Sequence, residues 1–279
     1  MRPLLAALAG AAVTTIAART LAQVRWTHRG DWVRTNYRDQ QVSLAGGLAT
    51  ATGAVATAAA APATTRSRAG AALGVAGAAV FGLIDDQAHD PAAARGLKGH
   101  LRALREGRIT TGTVKLFGIP ATALAAAACL TGDRPAAHAG GAARTLDLLL
   151  GGALIAGTAN LVNLFDLRPG RALKAGTLPA LLLQPAGGSA AALGAAAAGV
   201  IAGSCPGDLT ERTMLGDTGA NALGALLGTG LALLPAAAAR AGALGAVVAL
   251  IVLSEKVSFS AVIDRSPVLH RIDAWGRPQ

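Results

Sequence analysis

The feature that most constrains this chain is the length of its uncharged stretches. Residues 45–64 carry no charged side chain, and neither do residues 241–254. Inside a bilayer each backbone polar group must be satisfied within its own segment, so a run of about 20 apolar residues reads as a helix that crosses. The whole chain agrees: 52% of its 279 residues are hydrophobic and 14% are charged, whereas soluble domains carry about 25% charged residues. Nine stretches read as spans, at 3–24, 43–63, 69–83, 114–130, 146–164, 172–183, 189–202, 220–234 and 241–259. Tilt or partial burial accommodates the shorter ones. The expectation is an all-α integral membrane protein, a bundle of about nine transmembrane helices forming one polytopic domain over residues 1–279. Residues 1–24 are read as the first span, because no short apolar core with a clear cleavage site stands out.

Charge sets the expected orientation. Lys and Arg concentrate in cytoplasmic loops. If 25–42 is placed on that side, eighteen of them fall on its face and six on the other. The cytoplasmic segments are then 25–42, 85–113, 165–171, 203–219 and the tail 260–279, with the N-terminus outside and the C-terminus inside. The net charge of +10 follows from cationic loops against an anionic membrane surface, and no nucleic-acid partner is implied. Ala and Gly dominate the apolar set, and aromatics are only 3%. The windows Gly70–Gly74 and Gly224–Gly228 fit small-xxx-small helix packing, but the bias runs the length of the chain, so it is read as compositional. Cys129 and Cys205 give neither a disulfide framework nor metal-ligand spacing.

Five cytoplasmic segments hold polar residues that a plain bundle does not need. They are Asn36-Tyr37-Arg38 with the adjoining 43–47; Asp85-Asp86, with His89 and Asp90 beyond; the basic stretch 98–115; Asn160, Asn163 and Asp166; and Gly216-Asp217-Thr218-Gly219. Adjacent carboxylates at a membrane edge are costly unless a cation or a proton-transfer role keeps them there. Asp oxygens suit Mg²⁺, which keeps waters and phosphate oxygens as its other ligands. Lys98, Arg102, Arg105, Arg108 and Lys115 are candidate phosphate clamps. Carboxylates and cations on one face suit phosphoryl transfer, where catalysis is mostly positioning and charge neutralisation. Each element also has a plainer reading. Asp85-Asp86 can be a solvated helix end, the basic loop a topology signal, Asn160 and Asn163 a bridge between helices, and Asp217 a helix cap. His89, His100 and His270 read as surface residues.

In their order along the chain these segments resemble the polyprenyl-phosphate N-acetylhexosamine-1-phosphate transferase superfamily. The first-loop motif, Asp85-Asp86, the Thr-rich approach to Lys115, Asn160/Asn163/Asp166 and Gly216-Asp217-Thr218-Gly219 all have counterparts there. The resemblance implies transfer of a sugar-1-phosphate from a UDP-sugar to a polyprenyl phosphate, releasing UMP, with Mg²⁺ as cofactor. It implies that Asp217, with help from Asp85, holds the metal, and that Asp85 and Asp86 orient or deprotonate the lipid phosphate. Lys115 and Lys98 would bind phosphates, while Asn160, Asn163 and Asp166 would line the nucleotide site, with Asn36 among the binding residues. The implied setting is the plasma (inner) membrane with the site on its cytoplasmic face, and homodimers are common in that superfamily.

The chain also departs from the pattern. Where the superfamily has a second Asp, three residues after Asp166, this chain has Pro169; the later His-rich loop is absent. Arg168 and Arg171 are candidate replacements for phosphate or acidic-sugar binding. Two other classes stay open. A transporter would carry charge inside its spans, and apart from Arg19 there is almost none away from their ends. A catalytically silent scaffold is favoured by the lost Asp, and opposed by retention of Asp85, Asp86, Asn160, Asn163 and Asp217, for which a silent protein has no evident need.

Overall fold

The computed structural model describes residues 1–88, 96–132 and 141–278. Most of the chain's described residues are helical. Its helices are α1 (Pro3–Ala22), α2 (Ala45–Ala60), α3 (Thr65–Asp86), α4 (Gly96–Arg105), α5 (Thr111–Thr131), α6 (Gly141–Phe165), α7 (Arg171–Leu182), α8 (Gly188–Leu209), α9 (Gly216–Ala232), α10 (Ala237–Ser254), α11 (Phe259–Arg265) and α12 (Pro267–Ala274). Six of them, α1, α3, α5, α6, α8 and α10, are long and apolar enough to cross a membrane, the architecture of an all-α multi-pass membrane protein. The other three over expected spans, α2, α7 and α9, have 16, 12 and 17 residues. Local sequence explains several starts. The Thr64 and Thr110 side chains accept the Ser67 and Thr113 N–H groups, capping α3 and α5.

Helix α9 is the centre of the bundle. It packs against α2, α3, α6, α7 and α8, and every residue from Gly216 to Ala232 is buried except Asp217 and Leu231. Its neighbours come very close. A Cβ on Gly224 would lie 2.5 Å from the Thr158 carbonyl oxygen, and one on Gly228 would lie 2.6 Å from that of Leu154. A Cβ on Gly70 would lie 2.8 Å from the Ala126 carbonyl oxygen of α5, and one on Gly74 would lie 3.1 Å from the Ala126 Cβ. The small-residue windows therefore do set helix contacts, against the compositional reading: the absence of a Cβ lets backbones approach. Helix α10 lies at the periphery, with only Arg240 and Val247 buried. Arg240 pairs with Asp147 of α6 at 2.7 Å, both side chains under 10% exposed.

The bundle has two distinct ends. At one, the Met1 ammonium donates to the Ala61 carbonyl and the Ala63 N–H to Ser189 Oγ. At the other, the polar segments collect. There the loop after α1 forms a short antiparallel hairpin, β1 (Val33–Thr35) with β2 (Gln41–Ser43), in the register Val33↔Ser43 and Thr35↔Gln41. Its turn is built by Asn36, whose Oδ1 accepts the Arg38 and Gln40 N–H groups. Ser43 bridges to Thr213, so the hairpin is fastened to the strand-like lead into α9.

The tail is docked at this end as well. Phe259 stacks on Phe165 with ring centroids 4.9 Å apart. Asp273 of α12 accepts from Arg171 at 2.8 and 2.9 Å and pairs with Arg277 at 2.8 Å. Burial alone would raise the Asp273 carboxyl; hydrogen bonds from Arg171 and the charges of Arg277 and Arg171 hold it below its ordinary value.

Candidate functional site

The entry to α9 organises the site. A helix N-terminus presents N–H groups that have no partner within the helix. Here carboxylates from three other segments gather around them, and Asp86 takes two. Asp208, at the end of α8, accepts from Gly170 N–H at 2.5 Å, and the Leu215 N–H lies close enough to favour its charged form. The Gly216 N–H lies close enough to Asp166 to favour its charged form. Asp86 accepts from Asp217 N–H at 2.9 Å, Thr218 N–H at 2.8 Å and Thr218 Oγ1 at 2.5 Å. Gly216, at φ +57°, makes the sharp turn into the helix. Of the expected chemical carboxylates, Asp86 is thus bonded to backbone, and Asp166 is packed beside the same helix start. Asp166 is pushed well above the ordinary carboxylate range, first by burial and then by the charges of Asp208, Asp217 and Asp86.

Beside this entry stands a second group whose side chains face one another. Lys115 of α5 donates to Asp217 Oδ2 at 2.5 Å and to Asp85 Oδ2 at 3.4 Å. Thr111, one turn earlier, donates to Asp85 Oδ1 at 2.9 Å. The Asp85 and Asp217 carboxyls lie within hydrogen-bonding reach of each other. The three side chains remain 15–27% exposed, so a ligand from water can reach them. Arg34 Nη2 donates to the Asp86 carbonyl and ties the hairpin to the end of α3. Among the described residues, no group of three or more His, Cys, Asp or Glu side chains could hold a metal ion. Asp85 and Asp217 supply two carboxylates, which suits Mg²⁺, an ion that commonly takes one or two carboxylates and completes its shell with water and substrate phosphates.

A cavity of about 210 Å³ opens between the hairpin and the loop after α6. Asn36 and Tyr37 form one wall, and Asp166, Leu167, Arg168 and Pro169 form the other, with Asp208, Glu211 and Met214 behind. The Arg168 guanidinium sits 4.5 Å from the Tyr37 ring centroid. Glu211 holds a left-handed backbone at φ +57°, a conformation that costs energy for a residue with a side chain and clusters at functional sites. Its buried carboxylate accepts from Asn36 Nδ2 at 2.7 Å and pairs with Arg38 at 3.5 Å.

The expected site residues therefore divide. Asp85, Lys115 and Asp217 meet. Asp166 and Arg168 line the cavity. Asn36 also lines it, but both ends of its amide are used, by the turn and by Glu211. Asn163 is half-buried and Asn160 exposed, and among the described residues neither side-chain amide is hydrogen-bonded. Arg171 does not face the cavity: it is 3% exposed and bound to Asp273 and Ser260, so it anchors the tail. Lys98 falls on α4, with its side chain outside the described residues, as are His89 and Asp90 altogether. Sequence reasoning missed Asp208 and Glu211. Both lie in the expected 203–219 loop, and their being acidic in a cation-rich face was the available signal. No known protein family model matches the chain, and no curated protein matches it.

Proposed function

We propose that the chain is a membrane-embedded, Mg²⁺-dependent transferase that moves a sugar-1-phosphate, an N-acetylhexosamine-1-phosphate by resemblance, from a UDP-sugar to a polyprenyl phosphate. The observation that carries this reading is the meeting of Asp85, Lys115 and Asp217. They come from three helices, Lys115 and Asp217 lying 102 positions apart in the chain, and each belongs to a different motif of the resemblance. In the reaction a lipid phosphate oxygen attacks the β-phosphorus of the donor. The bond from that phosphorus to the bridging oxygen breaks, and UMP leaves.

Asp85 accepts a proton from a lipid phosphate that arrives as monoanion and orients its oxygen. The Lys115 ammonium, already between two carboxylates, neutralises charge building on the diphosphate. Asp85 and Asp217 would hold Mg²⁺, which when bound offsets phosphate charge as a Lewis acid. Asn160 and Asn163 offer amides to the nucleotide, and the cavity beside Arg168 and Asp166 adjoins it. We place all nine apolar helices as spans, α9 shortest in contact with lipid because protein encloses it, with the N-terminus outside and the site on the cytoplasmic face of the plasma (inner) membrane. The eighteen-to-six division of Lys and Arg supports this orientation.

A second reading, a catalytically silent homologue that binds lipid or partners, is favoured by Pro169 in place of the superfamily's second Asp and by the absent His-rich loop. The test is UMP release by purified protein given undecaprenyl phosphate and a panel of UDP-sugars, with and without Mg²⁺. Lipid- and Mg²⁺-dependent release, reduced at least about 100-fold in Asp217→Ala, is expected. No release with any donor from folded protein would leave the silent reading.

A further inference from the structure

A second concavity lies in the loop that follows α1. It is an open cavity of about 620 Å³ lined by Arg25, Trp26, Arg29, Gly30, Asp31 and Trp32. The two indoles meet edge to face with centroids 4.5 Å apart, and Trp26 is 46% exposed. The cup has a fixed frame. Thr27 Oγ1 donates to the Leu21 and Val24 carbonyls, Ser43 Oγ donates to the Thr27 carbonyl, and Leu44 N–H donates to that of Trp32.

Its charge is available. Among the described residues the guanidiniums of Arg25 and Arg29 make no hydrogen bond or ion pair, whereas Asp31, the cup's one carboxylate residue, has an interaction of its own. Arg34 nearby spends its guanidinium on the backbone oxygens of Asp31, Val33 and Asp86. Its positive charge therefore adds to the cup. The cup also stands where a bilayer surface would be. It ends α1, one of the helices long and apolar enough to cross, whose Leu4, Leu5, Leu8 and Ile16 are exposed. Ile16 is six residues before the end of α1 at Ala22, about 9 Å along the helix axis. Indoles favour the headgroup level, and guanidinium groups match phosphate oxygens.

We propose that this cup binds the phosphate of an anionic phospholipid of the surrounding bilayer, with the acyl chains along the exposed face of α1. The site is separate from the transfer reaction and does not depend on it. The test uses full-length Trp275→Phe protein, in which Trp26 and Trp32 are the only indoles, reconstituted in phosphatidylcholine bilayers. Quenching of their fluorescence by brominated phosphatidylglycerol is compared with quenching by brominated phosphatidylcholine.

A preference for phosphatidylglycerol of about fivefold or more is expected, the scale of one basic residue at an anionic surface. It should vanish in Arg25→Gln/Arg29→Gln and persist in Arg25→Lys/Arg29→Lys, which also shows that the loop tolerates substitution. Equal quenching by the two lipids, or a preference kept by the Gln variant, would overturn the proposal. Reversal of the quenching by millimolar inorganic phosphate would instead make the cup a free-anion site. Reversal by 1 mol% polyprenyl phosphate would make it a substrate site; either result overturns the assignment to bilayer phospholipid.

Discussion

The two carboxylates that end α3 point to different neighbours. Asp85 faces Lys115 and Thr111, while Asp86 receives the N–H groups of Asp217 and Thr218. The amide of Asp86→Asn has one accepting oxygen where the carboxylate has two, so it strands donors at a buried helix start. The expected cost is about 1–3 kcal/mol of stability, seen as a lower melting temperature in detergent. Asp85→Asn leaves that start intact. It should melt near the wild-type temperature while turnover falls at least about 100-fold, the scale of a lost general base. Equal melting temperatures for the two variants would contradict the division of roles. Glu211 has a third kind of role. Its carboxylate binds Asn36 and Arg38 and so fixes the turn that walls the cavity.

At the scale of elements, close approach decides more than hydropathy. Gly228 lies against the backbone of α6, and an added Cβ would lie 2.6 Å from a carbonyl oxygen. Gly228→Ala should therefore destabilise the bundle by about 1–3 kcal/mol, the usual cost of overpacking. Gly242 on α10 has no atom within 4 Å of an added Cβ. Gly242→Ala should be neutral or stabilising by up to about 1 kcal/mol, from helix propensity. Unfolding in graded SDS measures both, and equal effects would refute the packing assigned to α9. The tail is an element whose attachment rests on polar contacts. Arg277 donates to the Pro169 carbonyl, and Arg38 donates to that of Pro278, so the residues just beyond α12 hold both walls of the cavity.

Across the whole molecule, the periodic and summed properties of the sequence were legible, and pairings were not. Hydropathy is a sum over neighbours in the chain, so 45–64 and 241–254 announced helices α2 and α10 without any knowledge of contacts. That Asp85, Lys115 and Asp217 share one face was legible from charge placement; that their side chains meet was not. The partner of Arg171 was not, because it lies 102 residues away on a short amphipathic helix whose placement depends on the Phe165–Phe259 stack. Nor was the capping of α9 by Asp86, with Asp166 and Asp208 beside it, since it depends on the relative rotation of three helices. The orientation has a direct check. In a Cys129→Ala/Cys205→Ala background, Pro185→Cys should react with an impermeant maleimide added to intact cells, and Arg265→Cys only after lysis. The reverse pattern would invert the topology.

The carboxylate clamp on α9 changes how relatives of this chain should be sorted. Asp86 closes a helix start with Asp166 and Asp208 packed beside it, so a descendant that lost the proposed chemistry would keep all three simply to stay folded. Their retention reports on architecture. Among the described residues Asp85 and Lys115 make no comparable backbone bond with their side chains, and under the proposed transfer, drift at those two positions in a lineage that still has the clamp is the mark of a protein that has kept its shape and lost that reaction.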